Sequence, residues 1–183
     1  MSGAGPKATG RHRLLVNATE LLRQPGTVRS ISTSVAQADV DVHEPRLHGD
    51  IAIELALTST LDDIEVVGTL TVDWSDECRR CLTALTGPLT VEVEERYALV
   101  SDDPARTVDP EVFPIEHGQL DLGPMVREEV LLGVPDAPLC RDDCAGICPE
   151  CGADLTTGPC GCARDGRDER WAALDQLRGE DTT

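Results

Sequence analysis

The chain has 183 residues, 40% of them hydrophobic but only 2% aromatic, and 34 acidic against 16 basic side chains leave a formal net charge of −18. That is enough apolar material for one aliphatic core with a small appendage. The charge repels phosphate backbones and attracts basic proteins at long range, and with Trp74, Tyr97, Phe113 and Trp171 as the only aromatics, the stacking platforms that read single-stranded nucleic acid are nearly absent.

Residues 1–13 read as a flexible basic arm. Through residue 30 the chain carries Lys7, Arg11, Arg13, Arg23 and Arg29 against the single carboxylate of Glu20. RNA contact is therefore expected to be secondary and confined to this arm or to Arg79 and Arg80. No apolar stretch follows the basic residues as in a secretory signal, which points to the reducing cytoplasm. No run approaches the ~20 apolar residues of a membrane span.

Leu14, Leu15 and Val16 predict a short strand. Asn17, with Glu20 three residues on, predicts a capped short helix through Leu21 and Leu22 that Pro25 and Gly26 end. The same Asn17 opens a glycosylation sequon, but without secretion the capping role takes precedence. From there to Tyr97 apolar residues recur with a period of two: Val40 and Val42; Ile51, Ile53, Leu55 and Leu57; Val66, Leu70, Val72 and Trp74; Leu89, Val91 and Val93. This is the pattern of half-buried antiparallel strands, punctuated by Asp62-Asp63 and Gly87-Pro88. Residues 101–114, with three prolines and no apolar period, predict a mobile loop. Asp121 is placed to cap a helix bearing Leu122, Met125, Val126, Val130 and Leu131, which Gly133 and Pro135 stop. Asp165 or Asp168 is placed to cap a last helix with Trp171, Leu174 and Leu177 on one side.

The expected fold is α+β: a curved antiparallel sheet, or partly open barrel, of about five or six strands with a few helices and a C-terminal cysteine-rich zinc knuckle. Its segments are a basic arm (1–13), a sheet domain with helices (14–139), a cysteine-rich zinc-binding segment (140–166) and a C-terminal helix and tail (167–183).

Eight cysteines carry the chemistry. Cys148 and Cys151 form a CPxCG knuckle, and Cys160 and Cys162 follow as CGC. Four thiolates about 2.3 Å from one ion are what Zn²⁺ takes in structural sites, so these four predict one zinc site. Cys78 and Cys81, in the CRRC between the last two strands, are left with Cys140 and Cys144 as a second, which would clip distant parts of the chain together. An even number of cysteines also permits a disulfide framework, which the cytoplasmic expectation disfavours. A thioredoxin-like role for CRRC is disfavoured because apolar alternation, not a helix, follows it. A catalytic zinc keeps an open position beside His and carboxylate ligands, whereas all eight candidates are Cys, and His12, His43, His48 and His117 show no ligand spacing. The alternative that the cysteine pairs do permit is a zinc-dependent redox-gated chaperone.

The order of motifs, ECRRCL after an alternating strand, then HGQLDLGPMVREEVLLGVPDAPLC, CAGICPECGADL with CGC, and RWAALDQL, resembles the YceD family, named for large ribosomal RNA subunit accumulation. The resemblance covers roughly residues 14–178. It implies a non-enzymatic cytoplasmic factor that supports large ribosomal subunit biogenesis and accumulation of large-subunit RNA. Combined with the acidic charge, it leads us to expect a basic ribosomal protein or a large-subunit assembly intermediate as the partner.

Overall fold

A computed structural model describes residues 14–61, 63–99 and 112–162. The basic arm, most of the 101–114 stretch and the helix expected around Trp171 lie outside the described residues. The chain divides into two units, residues 1–77 with 84–138, and residues 78–83 with 139–183.

The larger unit is built on seven strands: β1 (Leu15–Asn17), β2 (Val28–Ala36), β3 (Leu47–Ser59), β4 (Asp63–Glu77), β5 (Ala84–Leu99), β6 (Phe113–Glu116) and β7 (Gln119–Asp121). They form one curled sheet in the order β1-β7-β6-β5-β4-β3-β2. Every pairing is antiparallel except β5 with β6, so the expected antiparallel sheet carries one parallel pair.

The three long central strands follow directly from period two. On β3, Ile51, Ile53, Leu55 and Leu57 are buried, while Ala52 and Glu54 between them are exposed. The register continues the apolar side across the sheet, with Ile53 opposite Leu70 and Leu70 opposite Val91. Gly68 interrupts the apolar set of β4 between Val66 and Leu70, and a close approach requires it: its φ is +156° and a Cβ there would run into the carbonyl oxygen of Glu54. The opposite face holds Glu54, Glu65, Asp73, Glu92 and Glu94 exposed, with Arg96 as the cation among them.

Two helices cover the apolar face. Helix α1 (Ala18–Leu22) starts as its sequence predicts, with Asn17 Oδ1 accepting the Glu20 N–H at 3.1 Å, and it buries Ala18 and Leu21. Helix α2 (Gly123–Gly133) buries Met125, Val126 and Val130. Asp121 acts one residue earlier than expected. It ends β7, and its Oδ1 accepts the Gly123 N–H at 3.0 Å, while Leu122 occupies the cap position without a side-chain bond. The core is aliphatic apart from Tyr97, which is buried, stacks on Phe113 at 5.1 Å and donates its hydroxyl to the Asp121 carbonyl at 3.2 Å.

Two local readings are corrected. Val40 and Val42 are buried but not in a strand: Gln37–Val40 is a 3₁₀ turn and Asp41 follows at φ 59°, so a tight turn brings both valines to the core. Residues 28–36 ahead of them, which lack an apolar period, form β2. Phe113 and Pro114, expected in the 101–114 loop, belong to β6, whose hairpin with β7 turns at His117 (φ 51°) and Gly118 (φ 71°).

Arg46 holds the unit together where its chain segments end. Its Nε lies 2.9 Å from Glu44 Oε1, and its Nη1 donates to Asp76 at 3.3 Å and to the Pro135 carbonyl at 2.9 Å. The start of β3, the end of β4 and the chain after α2 thus share one guanidinium.

Gly68→Ala should lower stability by about 2–4 kcal/mol, through a strained φ and the clash with Glu54, and a urea midpoint measures it. Glu129 offers a pH-dependent counterpart. Burial first, and then the carboxylates of Glu95 and Glu128, hold its carboxyl above the ordinary 4.5. A raised carboxyl pKa means that ionisation costs stability, so the penalty is absent below the ordinary value and present once the pH exceeds the raised one. Glu129→Gln should therefore raise the melting temperature at pH 7 and leave it unchanged near pH 4. An equal shift at both pH values would contradict this origin.

Candidate metal centres

The smaller unit begins where β4 ends. Residues Cys78–Thr83 form a tight knuckle: Cys78 N–H donates to the Thr83 carbonyl at 2.8 Å, and Leu82 N–H returns to the Cys78 carbonyl at 2.9 Å. Cys148–Ala153 repeats the same pattern, with Cys148 N–H to the Ala153 carbonyl at 2.8 Å and Gly152 N–H to the Cys148 carbonyl at 2.8 Å. Both knuckles need a left-handed residue just after the second cysteine. Gly152 supplies it at φ 72°, whereas in the first knuckle Leu82 adopts φ 61° at a conformational cost of about 1–2 kcal/mol. CRRC and CPEC, different in sequence, are thus one backbone structure used twice.

The remaining segment packs on the first knuckle within the same unit. Ile147 N–H donates to the Arg80 carbonyl at 3.1 Å, and Arg80 Nη1 reaches the carbonyls of Cys144 at 3.0 Å and Asp142 at 3.3 Å. Gly146 (φ 73°) makes the approach feasible, since a Cβ would stand 3.0 Å from the Arg80 carbonyl oxygen.

These folds bring all eight predicted residues into two groups. Cys78, Cys81, Cys140 and Cys144 form one, and Cys148, Cys151, Cys160 and Cys162 the other; within each, the sulfur atoms lie within 4.8 Å of one another. In the first group Cys78 Sγ is 3.7 Å from Cys144 Sγ, and Cys81 Sγ is 3.6 Å from Cys140 Sγ. A tetrahedron with metal–sulfur bonds of about 2.3 Å has edges of about 3.8 Å. The spacing suits four ligands of one ion, and all eight cysteines are free thiols. Each group could hold one metal ion.

The surroundings favour thiolate. The N–H of Cys81, followed by those of Cys140 and Arg80, draws Cys78 down to about 6 against the effect of burial. In the second knuckle the N–H groups of Cys151 and Glu150 do the same for Cys148, again to about 6. The Thr83 hydroxyl, 3.2 Å from Cys81 Sγ, lowers Cys81 as well. Once one thiolate is present its neighbours resist a second charge: Cys140 is pushed up to about 12 chiefly by Cys144, and Cys162 to about 12 chiefly by Cys151. Backbone amides thus prepare one sulfur in each set, and a cation would be needed to draw all four to the charged form. The groups differ in cover. Cys78, Cys81 and Cys144 are buried in the first, but only Cys148 in the second.

Among the described residues no histidine joins either group. His43 pairs with Asp41 at 3.2 Å, His48 hydrogen-bonds Ser75, and His117 sits in the β6–β7 turn; His12 lies outside the described residues. Thr83 and Arg80 are the supporting residues that spacing alone did not single out, and their position inside and beside CRRC was the available signal. No helix among the described residues is long and apolar enough to cross a membrane.

An uncharacterised protein of Mycobacterium leprae is 31% identical over 180 residues, covering 94% of this chain and 82% of the relative. An uncharacterised protein of Mycobacterium tuberculosis is 28% identical over 173 residues, 92% of this chain and 83% of its own length. The large ribosomal RNA subunit accumulation protein YCED homolog 1, chloroplastic, of Arabidopsis thaliana is 33% identical over 66 residues, 36% of this chain and 21% of that protein. No solved structure matches. The family described as large ribosomal RNA subunit accumulation protein YceD matches residues 66–178, a span that takes in both knuckles and every cysteine, and the chain belongs to that family.

Proposed function

We propose that the chain is a non-enzymatic cytoplasmic factor for large ribosomal subunit biogenesis, which holds two structural zinc ions and acts by binding a basic protein of that subunit or of its assembly line. The observation that carries this reading is family membership over residues 66–178 together with a chain of net charge −18. Ribosomal RNA is a polyanion, so an acidic factor reaches the particle through its cationic proteins, whose approach its field would steer and whose premature contact with RNA it would shield. RNA contacts are secondary and belong to the basic arm or to Arg79 and Arg80.

Zinc fits the donor set. Four soft thiolates at tetrahedral spacing suit Zn²⁺, and all-cysteine sets are its structural sites. Filled by four sulfurs, neither ion would keep an open position for water, which is why we read the chain as non-enzymatic.

The ligand assignment predicts two zinc ions per chain by elemental analysis. Cys148→Ser with Cys151→Ser should bring this to one and leave the melting of the larger unit unchanged, while Cys78→Ser with Cys81→Ser should remove the other. Retention of both ions by either double variant would remove that pair from the ligand set.

The functional reading predicts that a strain lacking the protein has less large-subunit than small-subunit RNA, with immature large particles in a sucrose gradient. Wild-type ratios at both slow and fast growth would refute it.

A further inference from the structure

Among the described residues, strand β2 is the long open edge of the sheet. Among the described residues it pairs only with β3, through nine consecutive registered positions from Val28–Thr58 to Ala36–Asp50 without a bulge. The other edge, β1, is only three residues long and runs directly into α1. Natural sheets blunt exposed edges with lysine, proline, bulges or shortness, because a regular free edge offers a row of main-chain donors and acceptors to any extended chain. β2 uses none of these devices. Its sequence, VRSISTSVA, has one charge, at Arg29, and it is exposed along almost its entire length.

Among the described residues no aromatic side chain is exposed to hold a partner. Protein interfaces are anchored chiefly by Trp, Tyr and Arg in central pockets. Here Tyr97 is buried and Trp74 and Phe113 are partly packed against the core. Main-chain pairing along an edge gives affinity without such anchors.

We propose that the β2 edge is a docking site at which an extended, lysine- and arginine-bearing segment of the partner protein adds a strand. This rests on the reading of the partner as a basic protein. Charge selects the occupant. Ser30, Ser32 and Ser34 on the outward side of β2 are small and exposed, and behind them on β3 stand Glu54, opposite Ser32, and Asp50, opposite Ala36. Neighbouring strands are about 4.8 Å apart, so an added strand lies about 10 Å from the β3 backbone. A lysine or arginine on it can lie over the serines and meet Glu54 partway. A second copy of this chain is the less suited occupant, since it would bring another net charge of −18 to the same edge.

The test uses the full chain and individually purified basic proteins of the large ribosomal subunit. For a protein that binds, amides of residues 28–36 should exchange at least about tenfold more slowly in the complex, with little change along β5. Ser30→Lys with Ser34→Lys, which blunts the edge at exposed positions, should weaken binding about tenfold at an unchanged urea midpoint. Glu54→Gln should weaken it about threefold, and Glu92→Gln with Glu94→Gln, on β5, less than twofold. Binding that leaves β2 exchanging as fast as before, or that falls as much with the β5 pair as with the lysine pair, would overturn the edge while leaving the basic partner standing. No binding by any of these proteins, with binding to large-subunit RNA instead, would overturn the partner reading and the edge with it. A free chain that sediments as a dimer through β2 would also overturn it.

Discussion

The described residues of the smaller unit form no apolar core. Among its described residues the buried positions are Cys78, Cys81, Cys144, Gly146 and Cys148; no leucine, valine, isoleucine or aromatic is buried there. These residues by themselves cannot offset their conformational entropy with so little apolar burial, and a staple would stabilise them. Sulfur could do so, because four thiolates on one ion would replace many small contacts with a few strong ones. The shape of the unit follows from that demand. Each knuckle turns its own backbone back within six residues, leaves a left-handed residue at the turn and aims amide N–H groups at its first sulfur.

The larger unit obeys the opposite logic. Its core is a continuous aliphatic layer set by β3, β4 and β5, with α1 and α2 laid on it. Close packing there leaves little freedom: Gly68 exists because Glu54 of the neighbouring strand occupies the space of a side chain. The other face of the same strands is free of such constraint and carries carboxylates. With an ion in each cysteine group, the two units would divide the work of folding between apolar burial and sulfur, and CRRC interrupts the β4–β5 hairpin so that the chain passes from one to the other and back.

This division bears on the proposed role. An acidic sheet face and a polar open edge suit a reversible grip on a basic, extended chain, since charge speeds encounter and main-chain pairing supplies register. Such a grip asks for no catalytic group. The cysteine groups, closed by eight sulfurs, would serve as structure rather than chemistry.

What the sequence determined by itself was everything set by neighbours along the chain. Period two marks β3, β4 and β5 because one face of each is buried for many residues, and Asn17 marks α1 because a cap acts within three positions. The cysteine pairs are legible because two thiols separated by two residues converge wherever the knuckle sits. Tertiary structure alone decided the rest. β2 has little buried face and therefore no apolar alternation, so only the ladder from β3 makes it a strand. β6 and β7 are too short for a period, and the parallel pairing of Tyr97 with Phe113 spans residues whose spacing predicts nothing. Val40 and Val42 imitate alternation because a 3₁₀ turn followed by a left-handed residue also returns side chains to one side. Which cysteine pairs would share an ion was an inference from adjacency; that Cys140 and Cys144 lie beside Cys78 and Cys81 is a fact of three dimensions, where Arg80 and Gly146 bring the two segments together.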